Sequence, residues 1–314
     1  MNYELAVNNI RGELKKYLQK TNLKSLVIGI SGGIDSCLCA ALARPVCDEL
    51  GIALIGRSLP IKTNEEDELF RARETGEAFC TNFKEDRILE VYYDRMSSEL
   101  NPQIDNQEMQ KWKIRNGNMK ARLRMTYLYN LASMNNGMVL STDNYTEYLL
   151  GFWTLHGDVG DFGMIQSLWK TEVYNMAEWI ADNYPNPSSS PKAINAIRTT
   201  IQAMATDGLG VTNLGDLGQI LSDWRGTSRE GYKEVDRVLQ VWTSMHTLES
   251  TQKTILTLAY EKHPVIQRHL NSDFKRENPQ NINRNLIWTT SYMILGLKKL
   301  SLIKEPYQQA RCLN

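Results

Sequence analysis

The chain has 314 residues, 42% apolar and 23% charged, with 36 basic and 36 acidic side chains that cancel. That composition is enough for a sizeable globular core, and bulk charge gives no pull toward nucleic acid or a membrane surface. No apolar run approaches the ~18 residues that span a bilayer, Met1-Asn2-Tyr3-Glu4 lacks a signal-peptide pattern, and the five cysteines form no Cys-x-x-Cys pair, so a cytoplasmic protein with buried apolar cysteines is expected.

Residues 3–19 read as an amphipathic helix, with Leu5, Ile10, Leu14 and Leu18 at helical spacing. Leu26 to Ile30 is a short apolar run with β-branched members, followed by glycines; it reads as a strand buried on both faces. Residues 37–50 are apolar at helical spacing, and Asp35 and Ser36 are good N-cap types for that helix. A second strand is expected at 52–55. A helix follows from Asn64 to about Cys80, with Glu65, Glu66 and Asp67 in its first turn. A third strand is expected at 88–91, helix over 107–135 with a break near Gly117, a fourth strand at 138–140 and a short helix at 144–150.

Alternating strands and helices predict an α/β fold: a doubly wound parallel sheet of about five strands with flanking helices. Residues 183–191 hold three prolines and three serines and predict a loop or lid. Beyond them the chain reads as helical at 214–223, 231–247, 250–262 and 284–300. The expected organisation is a nucleotide-binding domain over 1–222 and a helical C-terminal extension over 223–314, packed on it and carrying an active-site loop at 271–283.

The segment Gly29-Ile30-Ser31-Gly32-Gly33-Ile34-Asp35-Ser36 sits between the first strand and the second helix. Glycines let backbone amides turn inward, and the helix N-terminus behind them completes an anion nest. Ser31 and Ser36 add hydroxyl donors. Asp35 would repel phosphate unless a divalent cation lay between them; Mg²⁺ commonly takes one or two carboxylates plus phosphate oxygens. No Walker loop and no Gly-x-Gly-x-x-Gly competes.

This octet resembles the pyrophosphate loop of the PP-loop (adenine-nucleotide alpha hydrolase) superfamily. Further segments resemble NAD synthetases in order and spacing over roughly residues 20–180: Ser58 to Lys62, Arg115 to Met125, Ser141 to Glu147, Gly151-Phe152, Gly157 to Asp161 and Leu168 to Tyr174. Weaker matches follow at Thr206 to Gly210 and at Phe274-Lys275-Arg276.

The resemblance implies an ammonia-dependent, AMP-forming ligase. It would adenylate the nicotinate carboxylate of deamido-NAD with ATP and release NAD, AMP and pyrophosphate. It also implies a homodimer, no membrane or nucleic-acid partner, and ammonia that is free or comes from a separate protein. Carried over by position, Gly29, Ile30, Ser31, Gly32, Gly33, Ile34, Asp35, Ser36, Thr142, Lys170 and Thr206 would hold ATP. Asp35 and Glu147 would hold Mg²⁺, Asp35 and Lys170 would serve the chemistry, and Arg122, Asp161 and Lys275 would contact deamido-NAD. Read alone, Glu147 is also a solvated helix acid, Thr142 a helix cap and Arg122 part of an exposed basic face.

The sequence departs from the family at several points. Leu155 stands where a lysine is usual, Gly157-Asp158-Val159-Gly160 replaces Gly-Asp-Gly-Gly with one residue fewer before Asp161, and Phe274 replaces a histidine. Two alternatives stay open: another PP-loop adenylating enzyme with a different carboxylate or a tRNA base as acceptor, and a non-catalytic nucleotide-binding protein.

Overall fold

Leu26, Val27 and Ile28 are wholly buried in succession, as only a strand covered on both faces allows. The computed structural model of the protein describes residues 2–100, 108–183, 191–206, 215–218, 220–221 and 224–277. Its elements run α1 (Tyr3–Thr21), β1 (Ser25–Gly29), α2 (Ile34–Leu50), β2 (Ala53–Ser58), α3 (Glu66–Phe79), β3 (Asn82–Glu85), α4 (Ile88–Leu100), α5 (Met109–Met134), β4 (Gly137–Ser141), α6 (Tyr145–Leu150), β5 (Phe162–Gly163) and α7 (Lys170–Asp182). Then follow α8 (Pro191–Gln202), α9 (Gly215–Gly218), α10 (Ser228–Ser244), α11 (Ser250–Tyr260), α12 (Pro264–Asn271) and α13 (Asp273–Arg276).

The sheet order is β3-β2-β1-β4-β5, with every neighbouring pair parallel. Strand side chains alternate between faces, and the core divides accordingly. Leu26, Ile28, Met138 and Leu140 join a large cluster with α1, α2, α7 and α8. Val27, Ile55 and Val139 join a smaller one with Leu89 and Tyr93 of α4 and Met125 and Leu128 of α5. The chain leaves β1 toward β2 and later returns to β4 on the other side of β1. Ligands of open α/β sheets bind at such a reversal, outside the strands' C-terminal ends.

Several expectations change. Residues 88–91 are not a strand; they open α4, and the third strand is Asn82–Glu85. A short apolar run does not separate helix from strand, and the true β3 is a polar edge strand without such a run. Gly117 is buried inside an unbroken α5. Gly33, not Asp35 or Ser36, is the N-cap of α2, so both of those side chains sit inside the first turn. Four cysteines, Cys37, Cys39, Cys47 and Cys80, are free and buried as expected.

Residues 1–276 form one compact unit, and the domain boundary expected at 222 falls inside it. The reason is that α10 packs on α6 and α7. The helix expected at 284–300, most of the 183–191 loop, residues 278–283 and Cys312 lie outside the described residues. No helix among the described residues is long and apolar enough to cross a membrane.

Candidate active site

At the sheet reversal a cavity of about 890 Å³ opens, and every residue from Gly29 to Ser36 lines it. The loop is braced from within. Ser31 Oγ accepts from the Gly33 amide at 3.2 Å and lies 3.2 Å from Ser36 Oγ, which donates to the Gly33 carbonyl at 3.1 Å. From outside, Arg71 Nε of α3 donates to the Gly32 carbonyl at 3.0 Å. Gly32 has φ +85°, and a Cβ there would stand 2.1 Å from the Glu68 carbonyl oxygen, so only glycine fits. The first turn of α2 has no side-chain cap, which leaves its amides for an anion.

Asp35 projects from that turn, and the segments after β4 and β5 deliver its partners. Asn144 caps α6, accepting from the Glu147 amide at 3.0 Å, while Glu147 Oε2 accepts from the Asn144 amide at 3.3 Å. Asn144 Nδ2 also donates to Asp35 Oδ1 at 2.9 Å. Lys170, the first residue of α7, donates from Nζ to Asp35 Oδ2 and to Glu147 Oε1, the latter at 2.8 Å. A cation at a helix N-terminus is disfavoured by the dipole; here two carboxylates reverse that. Burial alone would lower the Lys170 ammonium, yet Asp35 and Glu147 hold it well above its ordinary range. Burial, reinforced by Asp35, raises the Glu147 carboxyl.

The other expected residues separate into groups. Thr142, Thr206, Arg122 and Lys275 line the same cavity. Arg122 Nε donates to the Leu155 carbonyl at 3.2 Å, Thr206 Oγ1 donates to Glu68, and Lys275 Nζ donates to the carbonyls of Gly151 (2.6 Å) and Trp153. Burial pushes the Lys275 ammonium down to about 8, with Arg268 adding to the effect.

Asp161 is the exception. Its carboxylate accepts from Tyr129 Oη and from the Val139 amide, both at 2.9 Å, and lies outside the cavity lining. Gly160 packs so closely on β4 that a Cβ would stand 2.6 Å from the Ser141 amide nitrogen; this turns residue 161 back onto the strand. The acid that faces the cavity from this segment is Asp158. His156 is exposed and lies outside the lining too.

Sequence reasoning passed over Asn144 and Arg268, and read Arg124 only as part of a basic segment, with Arg115, Lys120 and Arg122, whose charge suits a dinucleotide's pyrophosphate. The Asn-x-x-Glu spacing of a capping box could have flagged Asn144. Arg124 lines the cavity, donating to the Leu59 carbonyl at 2.9 Å and Asn64 Oδ1 at 3.0 Å. Arg268, from α12, donates to the Leu150 carbonyl at 2.8 Å and carried no sequence signal. Lys120, by contrast, is buried against Thr63 Oγ1 and the Tyr93 ring.

Asp143, between Thr142 and Asn144, is almost fully buried and accepts from Ser141 Oγ at 2.8 Å. Burial pushes its carboxyl from 3.8 to about 7. A folded-state value above the unfolded one means stability is fully present at low pH and is lost as pH rises from ~4 through ~7. Asp143→Asn removes that loss. Its melting temperature is expected to exceed that of the parent by about 2 °C or more at pH 8, with the gap closing toward pH 4. Thermal melts across that range check this; a pH-independent gap would contradict it.

The NAD synthase family model matches residues 6–198. An NH(3)-dependent NAD(+) synthetase of Finegoldia magna is 35% identical over 182 residues, 57% of this chain and 69% of that protein. Among solved structures, an NMN synthetase from Francisella tularensis superposes with a TM-score of 0.67 at 21% identity, covering 90% of this chain and 99% of that one. An NH3-dependent NAD synthetase from Campylobacter jejuni superposes with a TM-score of 0.59 at 20% identity, covering 90% and 100%. At these identities the structural agreement is one of fold, whereas the family model spans β1 to α8 and with them the loop, Glu147 and Lys170. The chain belongs to the NAD synthase family.

Proposed function

We propose that the protein is an ammonia-dependent NAD synthetase that adenylates the nicotinate carboxylate of deamido-NAD with ATP and then amidates it. The observation that carries this reading is the convergence of the 29–36 loop, Asp35, Glu147 and Lys170 on one cavity that Arg122, Arg124, Arg268 and Lys275 also line. A carboxylate resists nucleophiles, and adenylation gives it a leaving group. The carboxylate oxygen bonds to the α-phosphorus as the bond to the β-phosphate bridging oxygen breaks. Ammonia nitrogen then bonds to the acyl carbon, AMP leaves, and the nitrogen sheds a proton.

The chain's task is positioning and charge neutralisation. Loop amides and the Ser31 and Ser36 hydroxyls would receive phosphate oxygens, and Thr142 and Thr206 would contact the nucleotide. Lys170 would turn its ammonium from the carboxylates to the polyphosphate. Asp35 and Glu147 would hold Mg²⁺, whose charge offsets that of the phosphates. Two carboxylates meeting at one ammonium fit a cation that arrives with a nucleotide. Arg122 and Lys275, with Arg124 and Arg268 beside them, would face the acceptor. A preformed cavity of this size can hold most of a nucleotide pair.

A homodimer belongs to the same reading. On α1, Val7, Leu14 and Leu18 are buried, with α2 and α7 packed against the helix, but Leu5 stays exposed, as do Val91, Tyr92, Met96 and Leu100 of α4. Mass measurement at micromolar concentration checks the dimer, and a fully active monomer would reject it.

The direct assay is release of AMP and pyrophosphate with ammonia and deamido-NAD. Nicotinate mononucleotide is a second acceptor arm, since the fold is shared with a protein named for NMN synthesis. Activity with deamido-NAD is expected, lost in Asp35→Ala and Glu147→Ala with the fold retained. Turnover only with the mononucleotide would move the acceptor, and no turnover with either would reject the reading.

Leu155 lines the cavity where the family resemblance expects a lysine. Leu155→Lys is expected to lower KM for the dinucleotide more than it raises kcat, because the contact would be made in ground and transition states alike. A charge-assisted contact is worth roughly 1.5–3 kcal/mol, about tenfold or more. An unchanged KM in a folded variant would place the dinucleotide elsewhere.

A further inference from the structure

The N-terminal turn of α7 carries Lys170 but is capped by no side chain of its own N-cap residue, Trp169. Its amides are satisfied from other elements. The Lys170 amide donates to Thr146 Oγ1 of α6 at 2.8 Å. The Thr171 amide donates to Asp236 Oδ2 of α10 at 2.8 Å, and Thr171 Oγ1 donates to the same oxygen at 2.7 Å. Thr146 Oγ1 in turn donates to Asp236 Oδ1 at 2.6 Å. One carboxylate therefore ties the helix that bears Glu147 to the helix that bears Lys170. One turn earlier on α10, the ring of Tyr232 lies 5.3 Å from Lys170 Nζ. Asp236 and Tyr232 are both almost fully buried. Both lie beyond residue 198, where the family match ends.

We propose that Asp236 is a positioning residue for the reaction: it caps α7 from α10 and fixes Lys170 and Glu147 in register with Asp35. A carboxylate at a helix N-terminus satisfies amides that otherwise lack partners and opposes the dipole. Its two oxygens accept all three bonds, so α6 and α7 cannot shift independently. Finally, the ammonium and carboxylate it orders face phosphates, where a displacement of about 1 Å lowers rates about a hundredfold. Asp236 does not line the cavity; it acts through Thr146 and Thr171. The inference rests on the NAD synthetase reading for its activity arm only.

The test uses the full chain with Asp236→Asn, Thr171→Val, Thr171→Ser and, as a packing control on α10, Val238→Ala. Asp236→Asn presents an amide NH₂ to donors that need an acceptor. Exchange protection of backbone amides at the start of α7 is expected to fall about tenfold or more, as for loss of a bond to a charged acceptor. Affinity for a non-hydrolysable ATP analogue with Mg²⁺ is expected to weaken, and kcat to fall about tenfold or more. The melting temperature is expected to fall too, because buried donors lose a charged acceptor, so kcat is compared with that of Val238→Ala at equal destabilisation. Thr171→Val should move the same readouts less, and Thr171→Ser should restore them. Val238→Ala should lower the melting temperature while kcat stays within about twofold.

Parent-like kcat and analogue affinity in a folded Asp236→Asn variant would overturn the proposal, as would a kcat loss matched by Val238→Ala at equal destabilisation. If Asp236→Asn does not fold, the Thr171 pair decides: equal kcat and affinity in the valine and serine forms would overturn it. If the parent enzyme releases no AMP with ammonia, the amidation reading fails, and exchange protection with analogue affinity decides the role of Asp236.

Discussion

The structure turns on one buried ammonium held between two carboxylates. Lys170 is 3% exposed at its side chain, and Asp35 and Glu147 are 17% and 15% exposed. Each charge alone would be expensive to bury, and removing one partner of such a group costs about 3–5 kcal/mol. The group is possible only because three helix starts meet at one point. Asp35 rides on α2 after β1, Glu147 on α6 after β4, and Lys170 on α7 after β5. β1 and β4 are neighbours because the sheet reverses there, so strand order is what brings the charges together. Asn144 adds the neutral link between Asp35 and α6.

The rest of the cavity follows the same rule of prior restraint. Arg122, Arg124, Arg268 and Lys275 line it, and each donates to a backbone carbonyl: Leu155, Leu59, Leu150 and Gly151. Cations fixed in this way lose little freedom when an anion arrives, and preorganisation of this kind is what lets a site neutralise developing charge. Two of the four come from α12 and α13, so the helical C-terminal region contributes to the cavity as well as to its support.

How much was legible in the sequence depended on whether chemistry or packing set the residue. The 29–36 loop, Glu147 and Lys170 could be read because glycine, hydroxyl and charge at that spacing have few other uses. The strands β1 and β4 could be read because burial on both faces demands a continuous apolar run. β3 could not, since Asn82–Glu85 is an edge strand with polar residues, while the apolar side chains of residues 88–91 belong to α4 and are partly exposed. The orientation of Asp161 was hidden for a different reason. Only the close approach of Gly160 to β4 reveals that the following residue turns away from the cavity. Asp236 and Arg268 act across more than sixty residues of sequence through buried hydrogen bonds, and no local pattern marks such partners.

In the proposed function, the Asp35, Glu147 and Lys170 group is the polyphosphate end of a nucleotide site. A crystal structure with Mg²⁺ and a non-hydrolysable ATP analogue tests this most directly. The expected result places phosphate oxygens about 2.7–3.2 Å from the amides of the 32–36 loop and from Lys170 Nζ, with the cation against Asp35 and Glu147. A nucleotide bound elsewhere, with Lys170 still closed on both carboxylates, would contradict it.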